Sequence, residues 1–180
     1  MAQPAPGIHL RPWGPDDLPL LERLLGDPAM TVHVGGPESA VKLRRLHNDY
    51  VSIRPPFGRM FAIVAEDETT PAGSVGYWLA DHGGQTVWEL GCSVLPEFQG
   101  RGIGTRSLQL ACAAAFEDAA RPIHGYPSVD NDPSNAMCRR AGLRLAGEIE
   151  VERGPGRTMR VFDWVLEPDV AAAATPDPVP

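Results

Sequence analysis

The stretch VLPEFQGRGIGT, residues 94–105, decides how this chain folds. It follows an alternating apolar run that is typical of a strand, and an alanine- and leucine-rich run typical of a helix, reaching about residue 120, comes after it. Residues 99–104 match the pattern Q-x-x-G-x-G. Backbone N–H groups at a helix N-terminus lack intrahelical partners, and the helix dipole adds partial positive charge there. The stretch therefore predicts a pyrophosphate site between a strand and a helix.

Other phosphate-binding motifs fit this stretch poorly. A dinucleotide-binding fingerprint needs alternating β/α units and an acidic ribose ligand about 20 residues further on, and this chain lacks that framework. A Walker A loop ends in G-K-[ST], whereas Gly104 is followed directly by Thr105, and the only lysine is Lys42. A glycine turn that merely starts a helix stays an alternative at this point.

Hydrophobic patterning arranges the whole chain as one α/β domain. The predicted order is a strand, two helices, three strands, a helix, a strand, a helix and a closing hairpin. The predicted strands are 8–13, 60–65, 73–79, 86–95, 123–129, 143–151 and 159–166. The predicted turns are 67–71, 81–84 and 154–156. The domain spans 1–167, and the Ala/Pro-rich tail 168–180 is expected to be flexible because it has no apolar cluster to bury.

Composition limits the classes of partner. The 180 residues are 43% hydrophobic, which suits one core, and 16 Lys+Arg against 23 Asp+Glu give a net charge of −7. Nucleic acid and anionic membranes are therefore disfavoured, whereas an amine or a basic peptide fits an acidic surface. Three scattered cysteines, no spanning apolar run and no leader pattern predict a cytoplasmic protein without a zinc site.

With two further segments, the glycine stretch resembles the GNAT superfamily of acyl-CoA-dependent N-acetyltransferases. VDNDPSNAMCRRAGL at 129–143 resembles the N-x-x-S-N segment of the branch that contains the ribosomal-protein-alanine acetyltransferases, and DPAMTVHVGGP at 27–37 resembles its acceptor-side loop. The resemblance covers 8–167. It implies a mixed, mostly antiparallel sheet of about six to seven strands with about four helices, splayed at the acetyl-CoA site.

The same resemblance implies direct acetyl transfer from acetyl-CoA to a primary amine, without a metal. A small-molecule amine is the expected acceptor. A protein N-terminus and a non-catalytic acyl-CoA-binding module stay open as alternatives, and some relatives act as homodimers.

Cofactor contacts are implied at three places. Ser93, Val94 and Leu95 correspond to a bulged strand that pairs with pantetheine. Asn131 and Asn135 correspond to amide contacts with pantetheine, unless they only satisfy turn and first-turn backbone groups. The pyrophosphate loop, with Arg101 or Arg106 facing the 3′-phosphate, comprises Gln99, Gly100, Arg101, Gly102, Ile103, Gly104, Thr105 and Arg106.

Four residues are candidates for the chemistry. The acceptor amine must be neutral to attack, and Glu89, on the same strand as Ser93, either takes its proton or only orients the substrate. The main-chain N–H of Val94 corresponds to the oxyanion donor. Ser134 corresponds to the proton donor for the leaving thiolate, with Tyr126 as the substitute. Asp132, Pro133 and Ser134 could equally be the cap and first residues of a helix.

Acceptor-side candidates are fewer. His33 borders the expected acceptor pocket, with solvent exposure as its alternative, and Trp78 walls the cleft unless it belongs to the core. The other histidines, which show no metal-ligand spacing, are expected at the surface or in packing roles; they are His9, His47, His82 and His124.

Overall fold

The structure, a computed structural model, describes residues 7–65, 70–152, 156 and 158–168. Residues 169–180 of the predicted tail lie outside the described residues. So do positions 67–69 of one predicted turn and positions 154 and 155 of another.

A seven-stranded sheet forms the centre of the molecule, in the order β1-β2-β3-β4-β5-β7-β6. Neighbouring strands are antiparallel except β4 and β5, which are parallel. The strands are β1 Ile8–Pro12, β2 Gly58–Ala65, β3 Gly73–His82, β4 Gln85–Val94, β5 Ile123–Gly125, β6 Arg144–Glu152 and β7 Thr158–Leu166. The predicted mixed, mostly antiparallel α/β sheet is confirmed.

The α-helices are α1 Leu18–Leu25, α2 Ala40–Ser52, α3 Ile103–Asp118 and α4 Asp132–Ala141. The buried core between helices and sheet includes fully enclosed Tyr77 and Trp88, and the Trp88 indole N–H donates to the carbonyl of Ala119 just after α3. Across the described ranges, no helix has the length and apolar character needed to cross a membrane.

Two predicted boundaries are wrong. The fifth strand ends at Gly125 instead of running to 129, because the chain turns away from β4 there, and Ser128 makes only an isolated bridge to Val161. The β3–β4 turn is also shorter than expected, since His82 still pairs with Gln85. Gly83 and Gly84, at φ 61° and 86°, make the two-residue turn, and both positive φ values favour glycine.

A hydrogen-bonded triad joins the sheet to the end of α3. Arg59 on β2 places Nε and Nη2 at 2.8 and 2.6 Å from the two carboxylate oxygens of Asp118, and the Tyr77 hydroxyl donates to the same carboxylate at 2.5 Å. A carboxylate at a helix C-terminus is electrostatically unfavourable by itself. The bidentate arginine offsets that cost and, with the smaller contribution of Tyr77, lowers the pKa of Asp118 against the opposing effect of burial.

The triad predicts an acid-dependent loss of stability. Because the folded-state pKa of Asp118 is depressed, its contribution is complete above the usual aspartate range near 3.9 and falls away as pH drops through the folded value. We expect Asp118→Asn to lower the free energy of unfolding by about 2 kcal/mol at pH 7. The difference in free energy of unfolding between variant and parent, measured by urea unfolding with fluorescence detection, should narrow toward pH 3.

Asp16→Asn, at an exposed carboxylate, is the control and should show no such pH-dependent gap. A deficit for Asp118→Asn that stays constant with pH contradicts the assignment.

Candidate active site

A gap in the sheet begins beside Glu89. Within the described residues, β4 and β5 share two register pairs, Trp88 with Ile123 and Glu89 with His124. Beyond them β5 ends and β4 continues to Val94. The predicted splay of the sheet is confirmed, and it exposes the backbone edge of the last residues of β4.

The gap arises without a bulge in β4. The β3–β4 register runs unbroken from Gly73 with Val94 to His82 with Gln85, so the bulge implied by the resemblance is wrong. The sheet opens because β5 departs, not because β4 kinks. Glu89, Gly91 and Ser93 therefore keep to one face of the strand, as the period of two predicts.

The unbroken register also fixes where the Val94 N–H points. The N–H of Trp88 donates to Pro122 on the β5 side at 2.9 Å, and that of Leu95 donates to Ala72 on the β3 side at 2.9 Å. Backbone groups alternate along a strand, so the N–H of Val94 faces the gap. The carbonyl of Val94 accepts a hydrogen bond from Gln99 Nε2 at 2.9 Å, which ties the glycine loop to the strand end.

A cavity of about 280 Å³ occupies the gap. It brings together seven of the residues predicted from the sequence, contributed by four separate segments of the chain. They are His33, Trp78, Glu89, Ser93, Tyr126, Asn131 and Ser134.

Trp78 and Glu89 form one wall of this cavity as cross-strand neighbours. The Trp78 ring covers Gly91, since a Cβ there would lie 2.8 Å from Trp78 Cη2. Glycine at 91 therefore leaves the space that the Trp78 ring occupies. Trp88, by contrast, is fully buried, in line with the core role expected for it.

The glycine loop leads directly into α3. Gly100 and Gly102 have φ values of 74° and 79°, a left-handed conformation that favours glycine, and α3 begins at the next residue, Ile103. Arg101 lies over the Phe98 ring at 5.7 Å, and Arg106 is exposed on the first turn. The first-turn N–H groups therefore sit at an open edge where a pyrophosphate can bind.

Gly104 has a different role from the other loop glycines. A Cβ there would lie 2.5 Å from Met137 Sδ of α4 and 3.4 Å from Val94 Cγ2. Its lack of a side chain allows α3, α4 and the end of β4 to approach closely.

The N-cap of α4 lies one residue earlier than in the alternative that made Asp132 the cap. The cap is Asn131, not Asp132, because Asn131 Oδ1 accepts the N–H of Ser134 at 3.1 Å. Ser134 is therefore the third helical residue, half-buried in the cavity wall.

The Asn135 side chain forms its hydrogen bonds with other residues of the protein. Its amide donates to the carbonyls of Ser128 and Asn131 and accepts from Trp164 Nε1, each at 2.9 Å. The side chain is buried and is not part of the cavity lining. This arrangement fits the alternative in which Asn135 satisfies local groups, and it anchors α4 to β7.

Tyr126 presents a neutral phenol to the cavity. Burial, with the nearby carboxylates of Asp163 and Glu89, raises its pKa, so the hydroxyl keeps its proton. The Tyr126 oxygen lies 2.9 Å from Nδ1 of His82.

The cysteines behave as small apolar groups. Burial is the main cause that raises the pKa of Cys92 to about 12 and that of Cys138 to about 11, so both cavity-lining sulfurs stay thiols. Neither is poised as a nucleophile.

Sequence reasoning missed one cluster beside the cavity, formed by His82, His124 and Asp163. These residues are far apart in the chain, and only the sheet order brings them together. A signal was present in Asp163, a lone charge within the apolar run VFDWV, because a buried carboxylate requires a partner.

The Trp78 wall yields a prediction about acceptor binding. Gly91→Ala forces the indole away from its place beside Glu89, and overpacking of this kind costs about 1–3 kcal/mol. We expect the KM of the acceptor to rise more than tenfold, while the dissociation constant of acetyl-CoA measured by calorimetry stays within about twofold.

Gly147→Ala is the matched control, because a Cβ at Gly147 meets nothing within 4 Å. Equal changes in the two variants contradict the role given to Gly91.

Comparisons with known proteins agree with this geometry. The acetyltransferase (GNAT) domain family matches residues 8–144. Among curated proteins, none matches the chain significantly.

Solved structures share the fold at low identity. A spermidine N-acetyltransferase from Vibrio cholerae, in complex with CoA and spermine, is 19% identical with a TM-score of 0.72, covering 89% of this chain and 95% of its own. An aminoglycoside acetyltransferase in complex with coenzyme A is 17% identical with a TM-score of 0.72, covering 93% and 99%. An acetyltransferase from Salmonella typhimurium that modifies the N-terminal serine of ribosomal protein L7/L12 is 23% identical with a TM-score of 0.72, covering 90% and 95%. Since the family match spans most of the domain and the fold agrees, the chain belongs to the GNAT family and is an acyl-CoA-dependent N-acetyltransferase.

Proposed function

We propose that this protein transfers the acetyl group of acetyl-CoA directly to a primary amine of a small molecule, with both substrates bound at once. The observation that carries the proposal is the gap between β4 and β5, whose cavity runs from Ser93 near the end of β4 to Glu89. A donor entering along the gap meets an acceptor at its inner end.

Backbone groups bind most of the donor in this proposal. The N–H groups at the start of α3 hold the pyrophosphate, and the edge of β4 around Ser93 and Val94 pairs with pantetheine as a missing strand would. Leu95, whose N–H donates to Ala72, is not part of this edge. The first turn of α4, with Asn131 and Ser134 on the cavity, lies on the other side of the arm.

Glu89 acts as the general base. An ammonium has no lone pair, so a proton must pass from the acceptor nitrogen to the Glu89 carboxylate before or during attack. The neighbouring Trp78 ring adds a cation–π surface that attracts the acceptor while it is still charged.

The N–H of Val94 stabilises the oxyanion. Attack of the amine on the thioester carbonyl forms a C–N bond and moves charge onto the carbonyl oxygen. Collapse of this intermediate breaks the C–S bond and releases the thiolate of CoA. Because Val94 lies on a continuous strand, its N–H does not have to move when the oxyanion forms.

Tyr126 donates the proton that the departing thiolate takes up. It lines the cavity and keeps its phenolic proton, since burial raises its pKa. Ser134 is the alternative donor, and its side chain lines the same cavity. Comparing Tyr126→Phe with Ser134→Ala separates the two.

A small acceptor suits the cavity better than a folded protein surface. The volume of about 280 Å³ is near the lower end for small-molecule sites, and the α1–α2 loop closes it through His33 and Val34. Similar folds acetylate spermidine and aminoglycosides. A protein N-terminus is the second candidate, because the L7/L12 enzyme shares the fold at 23% identity.

The base assignment predicts a specific kinetic loss. We expect Glu89→Gln to reduce kcat/KM by about 10²- to 10⁴-fold, because the amide cannot accept the amine proton. The assay follows CoA release with a thiol-reactive dye over a panel of amines and N-terminal peptides. Calorimetry should show unchanged acetyl-CoA binding.

Glu148→Gln, on the outer strand and paired with Arg160, is the control and should retain full activity. Retention of activity in Glu89→Gln refutes the base role. Absence of acetyl-CoA binding by the parent protein refutes the proposed function as a whole.

The arginine assignment can be tested with the cofactor alone. If Arg106 faces the 3′-phosphate, Arg106→Ala should weaken CoA binding about three- to tenfold and leave dephospho-CoA binding unchanged. Arg101→Ala is measured beside it, and exposed Arg144→Ala is the control. Equal losses for both ligands show that the arginine contacts another part of CoA.

A further inference from the structure

Four side chains form a connected array behind the cavity. Tyr126 Oη lies 2.9 Å from His82 Nδ1, and His82 Nε2 lies 3.6 Å from Asp163 Oδ2. The other carboxylate oxygen, Asp163 Oδ1, lies 2.7 Å from His124 Nδ1. β3, β5, β7 and the segment after β5 contribute one residue each.

The array runs from the cavity to solvent. Tyr126 lines the cavity, whereas the side chains of His124 and Asp163 are only 8% and 6% exposed. The His82 side chain is 35% exposed, so water reaches the array at that imidazole. A proton can therefore enter from solvent without crossing the acceptor pocket.

Chelation of a metal ion does not suit this geometry. The His82 and His124 rings are stacked, with centroids 4.2 Å apart and planes 26° from parallel. A metal ion lies in the plane of each imidazole that binds it, and nearly parallel stacked planes do not meet at one such point. Two stacked imidazoles beside one buried carboxylate are instead suited to passing protons among themselves.

The carboxylate of Asp163 favours one tautomer of His82 electrostatically. Asp163 faces Nε2 and favours the proton there, so the neutral ring offers the Nδ1 lone pair to the Tyr126 hydroxyl. A second proton on His82 reverses that hydrogen bond, because Nδ1–H then donates to the tyrosine oxygen. The Tyr126 hydroxyl must then point its own proton away from His82, and the cavity lies next to that hydroxyl.

We propose that His82, backed by Asp163 and His124, is a positioning residue that turns the Tyr126 hydroxyl into the cavity and resupplies its proton. This inference rests on the proposed acetyl transfer.

The relay starts with His82 carrying a proton on each ring nitrogen, one of them taken from water. The thiolate sulfur takes the Tyr126 proton and becomes CoA thiol, Tyr126 recovers the Nδ1 proton of His82, and water resupplies that proton. The acceptor nitrogen loses two protons on its way from ammonium to amide, one before attack and one after it, and Glu89 passes both to solvent. One proton enters through the array and two leave through Glu89, so each turnover releases one net proton.

The other charged groups near the array are few among the described residues. Glu89 on β4 acts on Tyr126, as does Asp163 on β7. Asp163 is the carboxylate in contact with both imidazoles. It places a negative charge beside both rings.

A double-variant cycle tests the proposal in the full-length protein. With the acceptor found in the CoA-release assay, we expect Tyr126→Phe to lower kcat about 100-fold and His82→Gln about tenfold. The double variant should be no slower than Tyr126→Phe alone, because His82 acts only through that hydroxyl. Added imidazole should restore much of the kcat of His82→Ala and none of that of the Tyr126→Phe, His82→Ala pair.

His9→Gln, at an exposed histidine on β1, is the control for loss of an imidazole and should leave kcat unchanged. Losses that multiply in the double variant overturn the proposal, as does unchanged kcat in His82→Gln. Thermal unfolding and acetyl-CoA binding of each variant separate a folding defect from a kinetic one.

A spectroscopic measurement needs no acceptor at all. Nitrogen-15 NMR of the protein with acetyl-CoA bound should show a proton on Nε2 of His82, with or without a second proton on Nδ1. A His82 ring whose single proton lies on Nδ1 overturns the proposal even if the enzyme is active. Failure of the parent protein to bind acetyl-CoA instead refutes the proposed function, so the two failures are distinct.

Discussion

Everything at this site depends on the departure of β5 from β4 after only two register pairs. A parallel ladder normally satisfies the backbone groups of both strands, and here β4 continues for five residues beyond Glu89 without β5 beside it. β5 does not pair the N–H and C=O groups on this edge, and apart from the Val94 carbonyl, which accepts from Gln99, they suit a partner with an extended, amide-bearing shape. Pantetheine has that shape.

The same departure places the chemistry. Glu89 sits at the last paired position, Val94 at the free end of the strand, and Tyr126 just past the end of β5. The residues proposed as base, oxyanion donor and proton donor thus lie around one opening, the first two on β4 and the third directly after β5. Rigid placement of this kind lowers the reorganisation that the reaction requires.

The sequence predicted the order of strands and helices along the chain and seven of the residues that line the cavity, because those depend on local periodicity and on short motifs. Residues 123–129 show why a strand end was predicted wrongly. The apolar pattern continues past Gly125, but a strand ends where its neighbour leaves. That depends on tertiary structure, which the local pattern does not contain. The prediction of a bulge in β4 was wrong for the same reason. A sheet opens either when a strand bulges or when its neighbour departs, and the sequence of β4 does not distinguish the two. The Asn135–Trp164 bond and the His82 array join residues 29 to 81 positions apart, beyond the reach of any local pattern.

The two sides of the cavity differ in how freely they can vary. Gly104 packs α3 against Met137 of α4 and the end of β4, so a change in any of these disturbs the donor side as a whole. Residues 26–39 between α1 and α2 carry no regular helix or strand and contribute His33 and Val34 to the opposite side. Substitutions there can reshape the acceptor pocket while leaving the donor frame intact. Evolution can therefore retarget such an enzyme to a new amine by altering one connection, which makes this loop the natural place to engineer selectivity.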